Sequence, residues 1–229
     1  MFDFGGLFKM LKRFILAILA GIAISIGAIC YLLSSNKIVG SALFAVGILM
    51  VMEFKLNLFT GFCPTQRAVL PFKEYIIDGA FIFVGNLLGA IITALLMALT
   101  KFKTPLYEAA LTVCNNKMSG NNYALVLLSA FILAVFCAII IAAIVKADNY
   151  KKQVVYVLMM IMTFILCGFE HVVANSFYFA MSLKLFTWQG LIFIIVCLLG
   201  NFLGGYLFSF ITSSANKETA EKSANSMKD

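Results

Sequence analysis

The strongest constraint on this chain is the succession of apolar runs long enough to cross a bilayer. "FILAILAGIAISIGAICYLL" at 14–33 is the first of them. A transmembrane helix needs about 20 predominantly apolar residues. In lipid every backbone polar group must be bonded within the structure, so such runs are helices. The sequence predicts six: roughly 12–33, from Ile38 to Met52, 75–99, 122–145, from Val154 to Cys167, and 190–211. The chain is 63% hydrophobic and only 12% charged, with a mean hydropathy of +1.03. Soluble domains are about half apolar and about a quarter charged, so a soluble fold is excluded. One membrane domain over residues 1–212 is expected. The polar residues 213–229 form an expected disordered tail.

The first run follows "FKMLKR" and so imitates a secretory signal, but it is too long and no small-x-small cleavage site follows. It reads as a first transmembrane helix. The six cysteines form no C-x-x-C pair and lie mostly in apolar runs, so they read as packing residues. With one histidine there is no metal-ligand set, and no cofactor is expected. No nucleophile constellation and no phosphate loop point to an enzyme. The net charge of +7 is distributed by topology. An N-terminus inside the cell puts eleven Lys and Arg on the cytoplasmic side. Five fall outside: Lys37, Lys101, Lys103, Lys117 and Lys184. Both termini are therefore expected in the cytoplasm, across the cell membrane. The basic residues form no patch with interleaved aromatics, so nucleic acid is not an expected partner.

Four of the six runs are continuous, but the second and fifth run into polar and breaking residues, "EFKLNLFTGFCP" and "GFEHVVANSF". Each is followed in the next span by G-N-x-x-G: "GNLLG" at 85–89 and "GNFLG" at 200–204. The small residues permit close helix approach, and Asn86 or Asn201 can bond across to irregular backbone. Two halves of three spans then run in opposite membrane orientation, with interruptions expected at 55–62 and 168–176. Inverted repeats with discontinuous helices meeting at the midplane build substrate paths in transporters.

"LFTG" at 58–61, "GNLLG", "GFEHVVAN" at 168–175 and "GNFLG" together resemble the formate/nitrite transporter family over nearly the whole chain. The resemblance implies an aquaporin-like six-helix protomer in a homopentamer, with one pore per protomer. Its substrates would be small monovalent anions or their conjugate acids: formate, nitrite, hydrosulfide, acetate or lactate. It implies that His171 is the central pore residue and that Thr60 is its counterpart on the first broken span. Leu58 and Phe59, with Ile48, would form one apolar constriction, and Phe164 with Phe44 the other. Glu170, Asn175, Asn86 and Asn201 would form a supporting polar network. Lys117 would stand at an entry. The sequence departs from the family at Asn57, where an acid is common, and near Ala134, where an asparagine is usual. The connection after "ANSFYFA" is also short. Lys55 stays open between pairing with Glu53, snorkelling to an interface, and lining the cytoplasmic entry.

The physical reading agrees with that expectation. A charge at the bilayer centre costs about 2.5–3.5 kcal/mol on insertion scales. A weak acid crossing uncharged avoids most of that cost. An imidazole between apolar rings offers a hydrogen bond or a proton for that purpose. The alternative is a channel for water or small neutral solutes.

Overall fold

The computed structural model describes residues 4–67, 69–146 and 150–226. The described chain is all-helical: α1 (Phe4–Leu33), α2 (Lys37–Glu53), α3 (Phe59–Gln66), α4 (Phe72–Met97), α5 (Lys103–Lys117), α6 (Tyr123–Val145), α7 (Tyr150–Leu166), α8 (Val172–Met181) and α9 (Trp188–Ser226). A 3-10 turn, Lys184–Phe186, joins α8 to α9. Phe8–Leu33 of α1, all of α4 and α6, and Trp188–Ser213 of α9 are long and apolar enough to cross a membrane. These are the four continuous runs. Their outward faces carry bare apolar side chains such as Ile15, Leu95, Leu125 and Ile195. In water this surface would be a liability; against lipid it costs nothing.

Helix α1 packs on α2 and α4, and α6 packs on α9. The G-N-x-x-G motifs explain how closely. A Cβ on Gly89 would collide with the carbonyl of Ile18 in α1, and one on Gly204 with the carbonyl of Val135 in α6. At both crossings backbone lies against backbone, which brings the asparagine between each pair of glycines within reach of a neighbouring main chain.

The structure refines the sequence reading in three places. The non-helical links are residues 54–58 and 167–171, shorter and earlier than 55–62 and 168–176. Helix resumes at Phe59 and Val172 because the first amides of α3 and α8 find acceptors there. The segment between the third and fourth predicted runs holds a helix of its own: Lys103–Lys117 forms α5, burying Leu106, Ala110 and Cys114 at helical spacing. The polar tail expected to be disordered continues α9 as helix to Ser226, through "ANKETAEKSA", where Ala, Glu and Lys are good helix formers. The last three residues of that tail lie outside the described residues.

Candidate functional site

The two links are built alike. Helix α2 ends with Lys55 in left-handed backbone (φ 50°), and Leu56 N–H donates to Val51 O at 2.9 Å. Helix α7 ends with Gly168 in the same region (φ 70°), and Phe169 N–H donates to Phe164 O at 2.8 Å. Both are left-handed helix caps that satisfy otherwise orphaned carbonyls. The chain then runs extended into the N-caps, Leu58 for α3 and His171 for α8.

One asparagine serves each link. Asn86 Oδ1 accepts from Phe59 N–H at 2.8 Å, and its Nδ2 donates to Asn57 O at 2.9 Å and Ala17 O at 2.7 Å. Asn201 Oδ1 accepts from Val172 N–H at 2.8 Å, and its Nδ2 donates to Glu170 O at 2.9 Å and Ala134 O at 2.7 Å. Both side chains are fully buried. A buried polar group left unpaired costs about 1–3 kcal/mol, so Asn201→Ala, which orphans three, is expected to lower stability by about 3 kcal/mol or more. Asn201→Asp keeps the acceptor but turns a buried, unpaired carboxylate toward two carbonyl oxygens, so its loss should be larger. Thermal unfolding in detergent checks the order. Equal melting of wild type and Asn201→Ala would show that the link does not depend on this amide.

His171 and Thr60 join the two links. His171 Nε2 lies 2.9 Å from Thr60 Oγ1, and both residues are buried. His171 Nδ1 accepts from Ala174 N–H at 3.2 Å, so the ring itself caps α8. A ring nitrogen that accepts carries no proton, so the neutral ring holds its proton on Nε2, facing Thr60.

Glu170 does not turn toward the imidazole. Its Oε2 accepts from Lys117 Nζ at 2.6 Å and from Asn175 Nδ2 at 2.7 Å. The second amide contact of Asn175 is with Cys197 Sγ at 3.5 Å. The ammonium and carboxylate are 14% and 4% exposed, so this ion pair is nearly dry. Helix α5 carries Lys117 into the site.

Two cavities approach this centre. One, about 380 Å³, is lined by Lys117, Glu170, His171, Phe164 and Asn175, together with Tyr31, Ser129 and Tyr178, which sequence reasoning passed over. The other, about 710 Å³, is lined by Ile48, Leu58, Asn57, Lys55, Lys9, Arg13 and Asp78. Phe164 stands between His171 and Phe44: it stacks on the imidazole (5.8 Å between centroids) and meets Phe44 edge-on (5.7 Å). Phe59 is placed differently. It packs on Phe83 of α4 and lines neither cavity. Arg13 donates to Asp78 at 2.8 Å, tying α1 to α4 at the wall of the larger cavity. Each is the last charge before a long apolar run, which is the signal that marks the pair in the sequence.

An all-helical bundle with four helices long and apolar enough to cross a membrane is the architecture of an integral membrane protein. Comparison with known proteins makes the assignment specific. The formate/nitrite transporter family model matches residues 7–215, and the chain belongs to that family. It is 29% identical over 187 residues to a protein of Bacillus subtilis (strain 168) described as an uncharacterized transporter, YrhG, covering 76% of this chain and 70% of that one. It is also 29% identical over 197 residues to a probable formate transporter of Methanothermobacter thermautotrophicus, covering 75% and 72%. Among solved structures, the fold matches a pentameric formate channel with formate bound (TM-score 0.74, 23% identity, 91% of this chain and 98% of that one). It also matches an FNT family ion channel (TM-score 0.72, 21% identity, 90% of each chain).

Proposed function

We propose that this protein conducts small monovalent anions, or their conjugate weak acids, of the formate, nitrite, hydrosulfide, acetate and lactate class. The path runs through each protomer of a homopentamer in the cell membrane. In this reading α2 with α3, and α7 with α8, are two broken spans of an inverted repeat, and both termini are cytoplasmic. The larger cavity is then the inner vestibule and the smaller one the outer.

The observation that carries the proposal is the His171–Thr60 contact, a buried polar pair: His171 lines the smaller cavity, and Leu58 and Gly61, before and after Thr60 in the chain, line the larger. Apolar groups stand on both approaches: Leu58 and Ile48 at the larger cavity, Phe164 backed by Phe44 at the smaller. An ion at that narrowing sheds water, and the shed hydration has to be replaced or the charge neutralised. The imidazole geometry favours a hydrogen-bonding role over proton donation. With Nδ1 occupied by Ala174 N–H, the ring has one proton to offer, on Nε2. It can swing that N–H between Thr60 Oγ1 and a substrate oxygen, and the Thr60 hydroxyl can donate in turn. The Glu170–Lys117 pair leaves little net charge beside the path, so neither ion nor acid meets a bare carboxylate.

The test is uptake into proteoliposomes of formate, nitrite, hydrosulfide, acetate and lactate, with water permeability measured in parallel and with and without a pH gradient. Saturable uptake of one or more of these, above its rate through empty liposomes, is the expected result. Water flow with none of the five would overturn the proposal in favour of a neutral-solute channel.

A further inference from the structure

The two links differ at one position that their shared geometry does not explain. Three residues before the His171 cap stands Gly168, at φ 70°, where an added Cβ would meet nothing within 4 Å. Three residues before the Leu58 cap stands Lys55, at φ 50°. The left-handed cap accounts for the backbone angle, and glycine is the residue that adopts it without strain. It does not account for a lysine.

The surroundings suggest what the lysine does. Lys55 lines the larger cavity together with Lys9 and Arg13, and Asp78 is the one acid among the described residues that line it. Asp78 is taken by Arg13 at 2.8 Å. Lys55 has no ion-pair partner among the described residues, and Glu53, two positions earlier, does not line the cavity. The next contrast is Asn57, just before the Leu58 cap, where the other link has Glu170. Glu170 holds Lys117 in a tight pair, whereas Asn57 uses its amide to donate to Arg13 O at 3.0 Å and brings no negative charge. The smaller cavity therefore has a neutralised ammonium, whereas Lys55 and Lys9 in the wall of the larger have no ion-pair partner among the described residues.

We propose that Lys55 is an anion-recruiting residue of the larger cavity, drawing a small monovalent anion to the mouth of the path before it reaches Leu58. The inference rests on the anion-transport reading above and concerns one face of the path only. A fixed cation in a concave, low-dielectric wall raises the local anion concentration and is weakened by salt. A helix-dipole role for the same lysine is the structural alternative.

Four variants separate these: Lys55→Arg, Lys55→Gln, Lys55→Gly and Lys55→Glu. Formate uptake is measured at low and high ionic strength in membrane vesicles of both orientations. Lys55→Gln and Lys55→Gly are expected to raise the half-saturation concentration about three- to fivefold from the larger-cavity side at low salt, the scale of one exposed charge interaction. Lys55→Glu should raise it further, and Lys55→Arg should match wild type. All differences should shrink at high salt, the opposite face should be unaffected, and Lys55→Gly should melt no lower than wild type. If wild type transports formate while Lys55→Gln and Lys55→Gly keep its half-saturation and salt dependence on both faces, Lys55 is a cap residue and the inference fails alone. If wild type moves none of the five anions above empty vesicles, the transport reading fails and takes the inference with it.

Discussion

His171→Phe is expected to lower weak-acid flux about ten- to a hundredfold, the worth of one hydrogen bond to a charged group at about 1.5–3 kcal/mol. Phenylalanine fills the same space and keeps the stacked contact with Phe164. It loses two bonds: the Nε2 contact with Thr60 and the Nδ1 acceptor that caps α8 at Ala174 N–H. The cap alone is worth about 1 kcal/mol, so a modest drop in melting temperature is expected beside the flux loss. His171→Asn is the informative partner. Its Oδ1 can accept from Ala174 N–H while its Nδ2 donates toward Thr60 or substrate, so it should retain much of the flux and the stability. Uptake roughly one unit below and one unit above the ordinary imidazole pKa of ~6.5 separates the two roles of the ring. If the ring acts only by hydrogen bonding, His171→Asn keeps the wild-type pH profile, because the substrate's own protonation sets it. A flattened profile in His171→Asn would instead assign proton donation to the ring. If His171→Phe matches wild type at both pH values while assembling normally, the ring is structural and the proposed path chemistry is wrong.

The sequence marks the links because polar residues are conspicuous where everything around them is apolar. "LNLFTG" and "GFEHVVAN" each interrupt a run of about fifteen apolar residues. The partner asparagines are visible for the same reason: an amide between two glycines in an apolar helix has few uses other than bonding a neighbouring backbone. The link boundaries are not legible to the residue, since they depend on where orphaned amides find acceptors across space. Phe59 N–H finds Asn86 twenty-seven residues on, and Val172 N–H finds Asn201 twenty-nine on. Helix α5 is harder to see, because its overall hydropathy is neutral and "NNK" reads as loop. Its signal is the spacing of Leu106, Ala110 and Cys114, one face of a helix. Without α5, Lys117 has no route to Glu170, fifty-three residues away. Phe59 shows why adjacency in the chain does not place a side chain. Its neighbours Leu58 and Thr60 face the larger cavity and His171, and adjacency suggests the same for Phe59. A helix turns by about 100° per residue, and that turn points Phe59 at Phe83 instead.

Lys117→Met is expected to cost about 3–5 kcal/mol of stability, because it strands a buried carboxylate. Glu170 is 4% exposed, and without Lys117 its Oε2 keeps only the Asn175 amide at 2.7 Å. The stranded negative charge would also stand in the wall of the smaller cavity, where it repels the anion the path is proposed to carry, so flux should fall with stability. Glu170→Gln breaks the same pair from the other side with a smaller expected penalty. The neutral amide still accepts from Asn175, and the Lys117 ammonium, at the end of α5, can turn into the cavity it already lines. The double variant Lys117→Met with Glu170→Gln leaves no charge buried, and should recover most of the stability that Lys117→Met loses. Thermal unfolding of the four proteins gives the coupling directly as the departure of the double variant from the sum of the singles. A coupling of about 2 kcal/mol or more is expected for a pair at 2.6 Å with this burial. Additive losses would mean that the two groups do not sense each other and that Lys117 is an independent cavity lysine. The flux of the double variant then tests what the pair is for. If the pair only neutralises and braces the link, flux returns with stability. If the ammonium itself helps draw anions into the smaller cavity, stability returns and flux does not.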